Sequence, residues 1–136
     1  MSTISLSAGE QTLELPPDLQ WVDEFDWFCV EQSAERSLSG ALIVDQGVRT
    51  KGRPITLQPS ADDAAWMLRA DLVQLMAWES DPQLTLRLNL RGRPFSVRFR
   101  RWDGAPFEAR PTIFVADPLP GGMGDWYLAT VRFFEV

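Results

Sequence analysis

Alternation is the clearest signal in the chain. Leu84, Leu86, Leu88 and Leu90 alternate with Thr85, Arg87, Asn89 and Arg91. After Gly92-Arg93-Pro94, Phe95, Val97 and Phe99 alternate with Ser96, Arg98 and Arg100. Successive side chains of a strand point to opposite faces, so the run predicts a hairpin with Gly92-Arg93-Pro94 as its turn. One face is apolar and turned to a core. The other displays Arg87, Arg91, Arg98 and Arg100, and a sheet with one wet face is antiparallel in character.

Weaker alternation marks further strands. Ser2 to Ser7 and Thr12–Leu15 flank the turn Ala8-Gly9-Glu10 and predict an N-terminal hairpin closed by Pro16-Pro17. Residues 18–31 set Leu19, Trp21, Phe25, Trp27 and Phe28 among acids. This predicts a loop or irregular strand whose aromatics plug a core or a partner surface. Ser37 to Asp45 predicts a strand with Gly40 at a bulge, paired as a hairpin with Arg53–Leu57 across a turn at Gly47. Residues 109–115 (Ala109, Pro111, Ile113, Val115) predict an edge strand, Asp117–Gly124 a loop, and Trp126 to Glu135 a final strand.

Only Ala61 to Trp78 has helical periodicity. Leu68, Leu72, Leu75 and Met76 fall at i, i+4, i+7 and i+8, with Trp78 close by. Ser60 and Asp63 resemble a capping box. The core of the helix is placed at Arg69–Trp78, with Ala65–Leu68 extended as the alternative and Asp81-Pro82 as the stop. About eight strands and one helix define an α+β domain, mostly β: an antiparallel β-barrel or sandwich with one flanking α-helix. No repeat or flexible linker divides it, so residues 1–136 read as a single domain.

Composition then narrows the chemistry. The chain has no histidine and one cysteine, which excludes histidine-based nucleophile systems, histidine metal sites, internal disulfides and thiolate zinc cages. Cys29, in an aromatic run, reads as a small buried hydrophobe. No secretory signal and no membrane-length apolar run is visible, so synthesis in a reducing cytoplasm is expected. The net charge of −6 opposes general nucleic-acid binding.

That charge is arranged in blocks. Residues 1–35 hold eight acids and no base, whereas residues 83–110 hold seven arginines against Asp103 and Glu108. Twelve of the thirteen bases are arginine, the side chain suited to bidentate carboxylate pairing and to interfaces. An acidic arm and an arginine block suggest complementary contact, either inside the monomer or between copies. The interface candidates are Arg87, Arg91, Arg98 and Arg100 on one side, and Asp23, Glu24 and Asp26 with Trp21 and Trp27 on the other.

Catalytic readings are weaker. Asp23, Glu24 and Asp26 beside tryptophans resemble a glycosidase acid pair, but nothing fixes a carboxylate separation. Asp62-Asp63 lacks the spacing of a calcium loop. Gly121-Gly122-Met123-Gly124 lacks the lysine of a phosphate-binding loop and follows no βαβ unit, so it reads as a mobile loop. No catalytic residue, metal or cofactor is assigned, and a non-enzyme is expected. A small β-barrel module that binds a peptide or carbohydrate through exposed tryptophans is the alternative.

The run Leu13-Glu14-Leu15-Pro16-x-x-Leu19-x-Trp21-x-Asp23-Glu24-Phe25 resembles the N-terminal part of small bacteriophage tail proteins. So do Gly40–Val44, Gly52–Leu57 and the late Trp126-Tyr127 strand. The element order is similar to the tail-tube fold of tube and distal-tail (hub) proteins. The resemblance implies a virion tail or baseplate component that partners itself and other tail proteins in a ring, usually about six copies, through a heterologous interface. It implies a cytoplasmic start and a final place in the virion tail. It also implies negative charge along a DNA conduit, with no sequence-specific DNA contact.

Overall fold

The computed structural model describes residues 3–61, 64–112 and 126–136. β1 (Ile4–Ala8) and β2 (Gln11–Leu15) form the expected N-terminal hairpin, turning at Gly9, and β3 (Gln20–Trp21) is a two-residue strand. β4 (Val30–Arg36) and β5 (Leu42–Val48) pair only with each other. β6 (Pro54–Gln58) and β7 (Trp66–Leu68) precede α1 (Arg69–Glu79). β8 (Leu86–Leu90) and β9 (Arg93–Phe99) form the predicted leucine hairpin, followed by β10 (Phe107–Pro111) and β11 (Trp126–Glu135). The chain is α+β, mostly β, with antiparallel pairing throughout.

The main sheet runs β2-β1-β8-β9-β11-β6-β3, with β10 and β7 also paired to β11. No pairing joins β2 to β3 among the described residues, so the strand order stays open there. β11 organises this sheet. One of its edges carries β9 and β10, the other β6 and β7. Inner-face residues from both ends of the order, Leu15 and Trp21, share one cluster with Leu6, Leu57, Leu88, Val97, Val131 and Phe133, so the sheet curls around its own core. Leu72, Leu75 and Trp78 of α1 join that cluster. Arg101 holds the helix end to the sheet through the Glu79 carboxylate and carbonyl, where a cation also suits the helix dipole.

Several expectations are corrected. The strand expected over Ser37–Asp45 is a turn and then a strand. Ser37 Oγ accepts the Ala41 N–H at 3.1 Å, and Gly40 adopts φ +87°, a turn conformation rather than a bulge. β5 pairs with β4 and not with β6; β6 lies between β11 and β3. The β8–β9 turn is Arg91-Gly92, both with positive φ, the two-residue geometry that matches strand twist.

Residues 66–68 are extended, which bears out the alternative helix start. Leu68 is the N-cap residue, without a side-chain cap; the proposed Asp63 cap lies outside the described residues. Met76 is exposed, because it sits about 100° around the helix from Leu75 while Trp78 turns inward. Cys29 is exposed, not buried. The edge strand ends at Pro111; Ile113, Val115 and the loop over Asp117–Gly124 lie outside the described residues.

Candidate interaction surface

Two acids of the acidic segment, Asp23 and Glu24, meet the arginine block inside the chain. Asp23 accepts the Thr56 N–H at 2.9 Å and the Thr56 hydroxyl at 2.7 Å, and lies 3.5 Å from the Arg100 guanidinium. Arg100 is 6% exposed, so it does not share the wet face expected for it. It donates to Asp103, Thr56 Oγ1 and the Phe133 carbonyl. The segment around Asp23 folds over the outer face of β9 at this point, which is why strict alternation misplaces Arg100.

Glu24 pairs with Arg93 at 2.8 Å, and its carbonyl accepts from Arg53. Trp21 is 8% exposed and packs edge-on to Phe95, with Arg53 and Arg93 at 4.7 and 5.2 Å from its ring centroid. These are cation–π distances, so Trp21 is a core anchor and not a surface aromatic. Arg91 reaches the carbonyls of Pro17 and Leu19 from its turn. Asp18 accepts the N–H of Ala65, whose φ is +57°. This segment is thus a strap held down by guanidiniums and hydroxyls.

Of the nine interface candidates, Trp21, Asp23, Glu24, Arg91 and Arg100 are engaged within the chain. Trp27 is half-buried and Asp26 exposed, its N–H closing a turn onto Asp23. Arg98 is half-buried and donates to Thr85 Oγ1 at 3.1 Å, and Arg87 is exposed. Of the three acids beside the tryptophans, Asp23 and Glu24 are taken up by partners within the chain. No group of three or more metal-binding side chains occurs among the described residues, and no helix there is long and apolar enough to cross a membrane. Asp62 and the Gly121–Gly124 run lie outside the described residues.

The surface that sequence reasoning missed is the β4–β5 hairpin. Every residue of both strands is exposed. In its register Val30 faces Val48, Ala34 faces Val44 and Arg36 faces Leu42, so these side chains share one face, bridged midway by a Gln32–Gln46 hydrogen bond of 2.7 Å. The opposite face carries Glu31, Ser33, Glu35, Ile43, Asp45 and Gly47. Val30, Leu42, Val44 and Val48 are 48, 55, 47 and 69% exposed, with Leu38 fully exposed at the tip and Phe25 and Phe28 exposed near the base. The hairpin is an amphipathic arm whose aliphatic face stays about half exposed or more among the described residues. Isolated two-stranded hairpins are marginal in water, which makes this aliphatic face the candidate contact surface of the chain.

The outer edge of β5 adds to this. It runs Leu42-Ile43-Val44 with no lysine or proline to guard it, whereas β4 carries Glu31, Glu35 and Arg36. At the arm's base Arg49 hydrogen-bonds Glu31, which holds the Glu31 carboxyl below its ordinary value. The sequence signal that could have located β4 is the Ser37-x-Ser39-Gly40 turn, with alternating acids before it and aliphatics after it.

An open cleft of about 510 Å³ lies beside β10 and β11, lined by residues that include Gln58–Ala61, Glu108, Arg110, Leu128 and Thr130. The comparisons supply no neighbour: no protein-family description, curated protein or solved structure matches the chain.

Proposed function

We propose that the protein is a structural subunit that works by self-assembly, a component of a phage or prophage tail or baseplate of the tail-tube type, and not an enzyme. The observation that carries the reading is the β4–β5 arm, a strand pair whose aliphatic face is exposed among the described residues. Burying such a face on a second copy removes apolar area from water at roughly 25 cal/mol per Å². A projecting arm that contacts a different surface on the next copy makes a head-to-tail interface, and such an interface forms a ring where its rotation closes. Six copies is the ring size that the resemblance implies. Other tail proteins would be the further partners, and the virion tail the final location.

Sedimentation velocity and negative-stain electron microscopy over a wide concentration range test the reading. Rings or discrete oligomers are the expected result; a monomer at every concentration counts against it. A module that binds a peptide or carbohydrate is the second reading, and the cleft between the Gln58–Ala61 connection and β10 is what favours it. A glycan array and ligand-induced tryptophan fluorescence change address it, because Trp66 and Trp126 lie on the β7–β11 pair whose Leu128 lines that cleft.

A further inference from the structure

The polar face of the arm carries information that its apolar face does not. Glu35 stands opposite Ile43, and Asp45 lies two residues beyond Ile43, so the two acids are cross-strand diagonal neighbours. Both are exposed, and neither makes a hydrogen bond or ion pair among the described residues. On the outer face of the main sheet Arg87 stands opposite Ser96, and Arg98 lies two residues beyond Ser96. Arg87 and Arg98 are therefore diagonal neighbours in the same sense. Diagonal neighbours in antiparallel pairs are about 7–8 Å apart, so the two acids and the two arginines have matched spacing.

These arginines differ from the rest of their block. Arg91, Arg93, Arg100 and Arg101 are each tied to a carboxylate or a carbonyl of the chain. Arg87 and Arg98 make no ion pair among the described residues, and Arg98 is steered only by the Thr85 hydroxyl. Small side chains surround both sites: Ser33 faces Asp45 on the arm, while Ser7 and Ser96 face Arg87 on the sheet. The short side chains beside Asp45 and Arg87 leave room for a carboxylate of one copy to reach a guanidinium of the next.

We infer that the polar face of one copy's arm seats on the outer face of β1, β8 and β9 of a second copy, with Glu35 and Asp45 paired to Arg87 and Arg98. This rests on the self-assembly reading and names its contact. Donor and acceptor are different surfaces, so each copy offers one of each, as a closing ring needs. The charged pairs set register and partner choice, and Ile43, exposed on the same face as both acids, adds apolar burial to the contact. The aliphatic face is turned away from this contact, so the burial that drives self-assembly is made by the same arm against a further copy.

The test is charge reversal in the full chain, read by sedimentation velocity at moderate salt. Arg87→Glu/Arg98→Glu and Glu35→Arg/Asp45→Arg are each expected to weaken self-association by about tenfold or more, because they set like charges against each other. An equimolar mixture of the two is expected to recover association, since every contact in an alternating assembly again pairs opposite charges. Melting temperatures confirm that both variants fold. Should either lose its fold, the neutral variants Arg87→Gln and Glu35→Gln are expected to weaken association less, in the same direction. If the wild type associates and the reversals change nothing, while Leu42→Asp/Val44→Asp abolishes association, the contact is apolar face to apolar face. That overturns this interface and leaves self-assembly standing. A wild type that stays monomeric overturns both.

Discussion

The body and the arm are built from the same kind of residue and put it to opposite use. Leu86, Leu88 and Leu90 of β8 are buried to within 2% exposure, whereas Leu42 and Val44 of β5 are about half exposed. Both runs are aliphatic, extended and paired antiparallel. What differs is the neighbour: β8 lies between β1 and β9 and faces the shared core, while β5 has only β4. Strand chemistry alone therefore does not decide burial. The number of elements competing for the same face decides it.

The difference should break most sharply with a large truncation in each region. Phe133 is fully buried and packs on Phe99 with ring centroids 5.2 Å apart. Phe133→Ala is expected to cost about 3–5 kcal/mol, through lost transfer energy and the cavity left behind. Val44→Ala is expected to change the stability of the separated chain by less than about 0.5 kcal/mol. Urea titrations of both variants at a concentration where the chain is monomeric check this. Similar losses in the two would mean that the arm's apolar face is covered by the body in solution.

The strap gives the next largest effect. Removing Arg100 leaves Asp23 poorly exposed, facing Thr56 without its cation. Breaking a pair of this kind by deleting one partner costs about 3 kcal/mol or somewhat more, because the remaining charge keeps its desolvation penalty. Arg100→Ala should lower the urea midpoint accordingly. The double variant Asp23→Ala/Arg100→Ala should cost less than the sum of the single changes, since the two share one network. Arm substitutions should add to either without coupling.

A third test uses two glycines in nearly the same conformation. Gly92 has φ +88° in the β8–β9 turn and Gly40 has φ +87° at the arm tip, and an added Cβ would meet nothing at either. Alanine at each therefore carries only the backbone cost of a left-handed conformation, about 1–2 kcal/mol. Gly92→Ala should subtract that from global stability, seen as a lower melting temperature. Gly40→Ala should fray the arm alone, seen as faster amide exchange at Ala41–Val44 with the melting temperature unchanged.

Legibility followed the same division. The leucine hairpin, the N-terminal hairpin, the last strand and the helix core could be read because local periodicity and long-range burial agree there. β1 pairing with β8, and β6 with β11, could not be read, because such contacts join residues far apart in the chain and leave no local signature. β4 was hidden because Val30–Arg36 is exposed on both faces, so no burial imposed an alternation on it. The nine interface candidates came from charge blocks, which record which charges are near in sequence but not which already have partners. Arg100 shows the consequence: its position on the wet side of β9 was legible, and the strap laid over it was not.

The smallest expected effect is a pH response confined to the arm. The Glu31 carboxyl is held below its ordinary value of 4.5, chiefly by the Arg49 hydrogen bond and then by that cation's charge. A folded-state value depressed below the unfolded one means that the native arm binds this proton less readily. The stabilisation is therefore complete above the ordinary carboxylate range, and it is lost as the pH falls through the lowered folded value. Both side chains face solvent, so the loss should open the arm's base and leave the core alone. Exchange protection of the Arg49 amide, which donates to the Cys29 carbonyl at that end, should fall as the pH drops through the carboxylate range while protection in β8 and β11 holds steady. Glu31→Gln should remove the pH dependence of the Arg49 amide's protection, and a persistent dependence in that variant would assign the response to another acid of the arm.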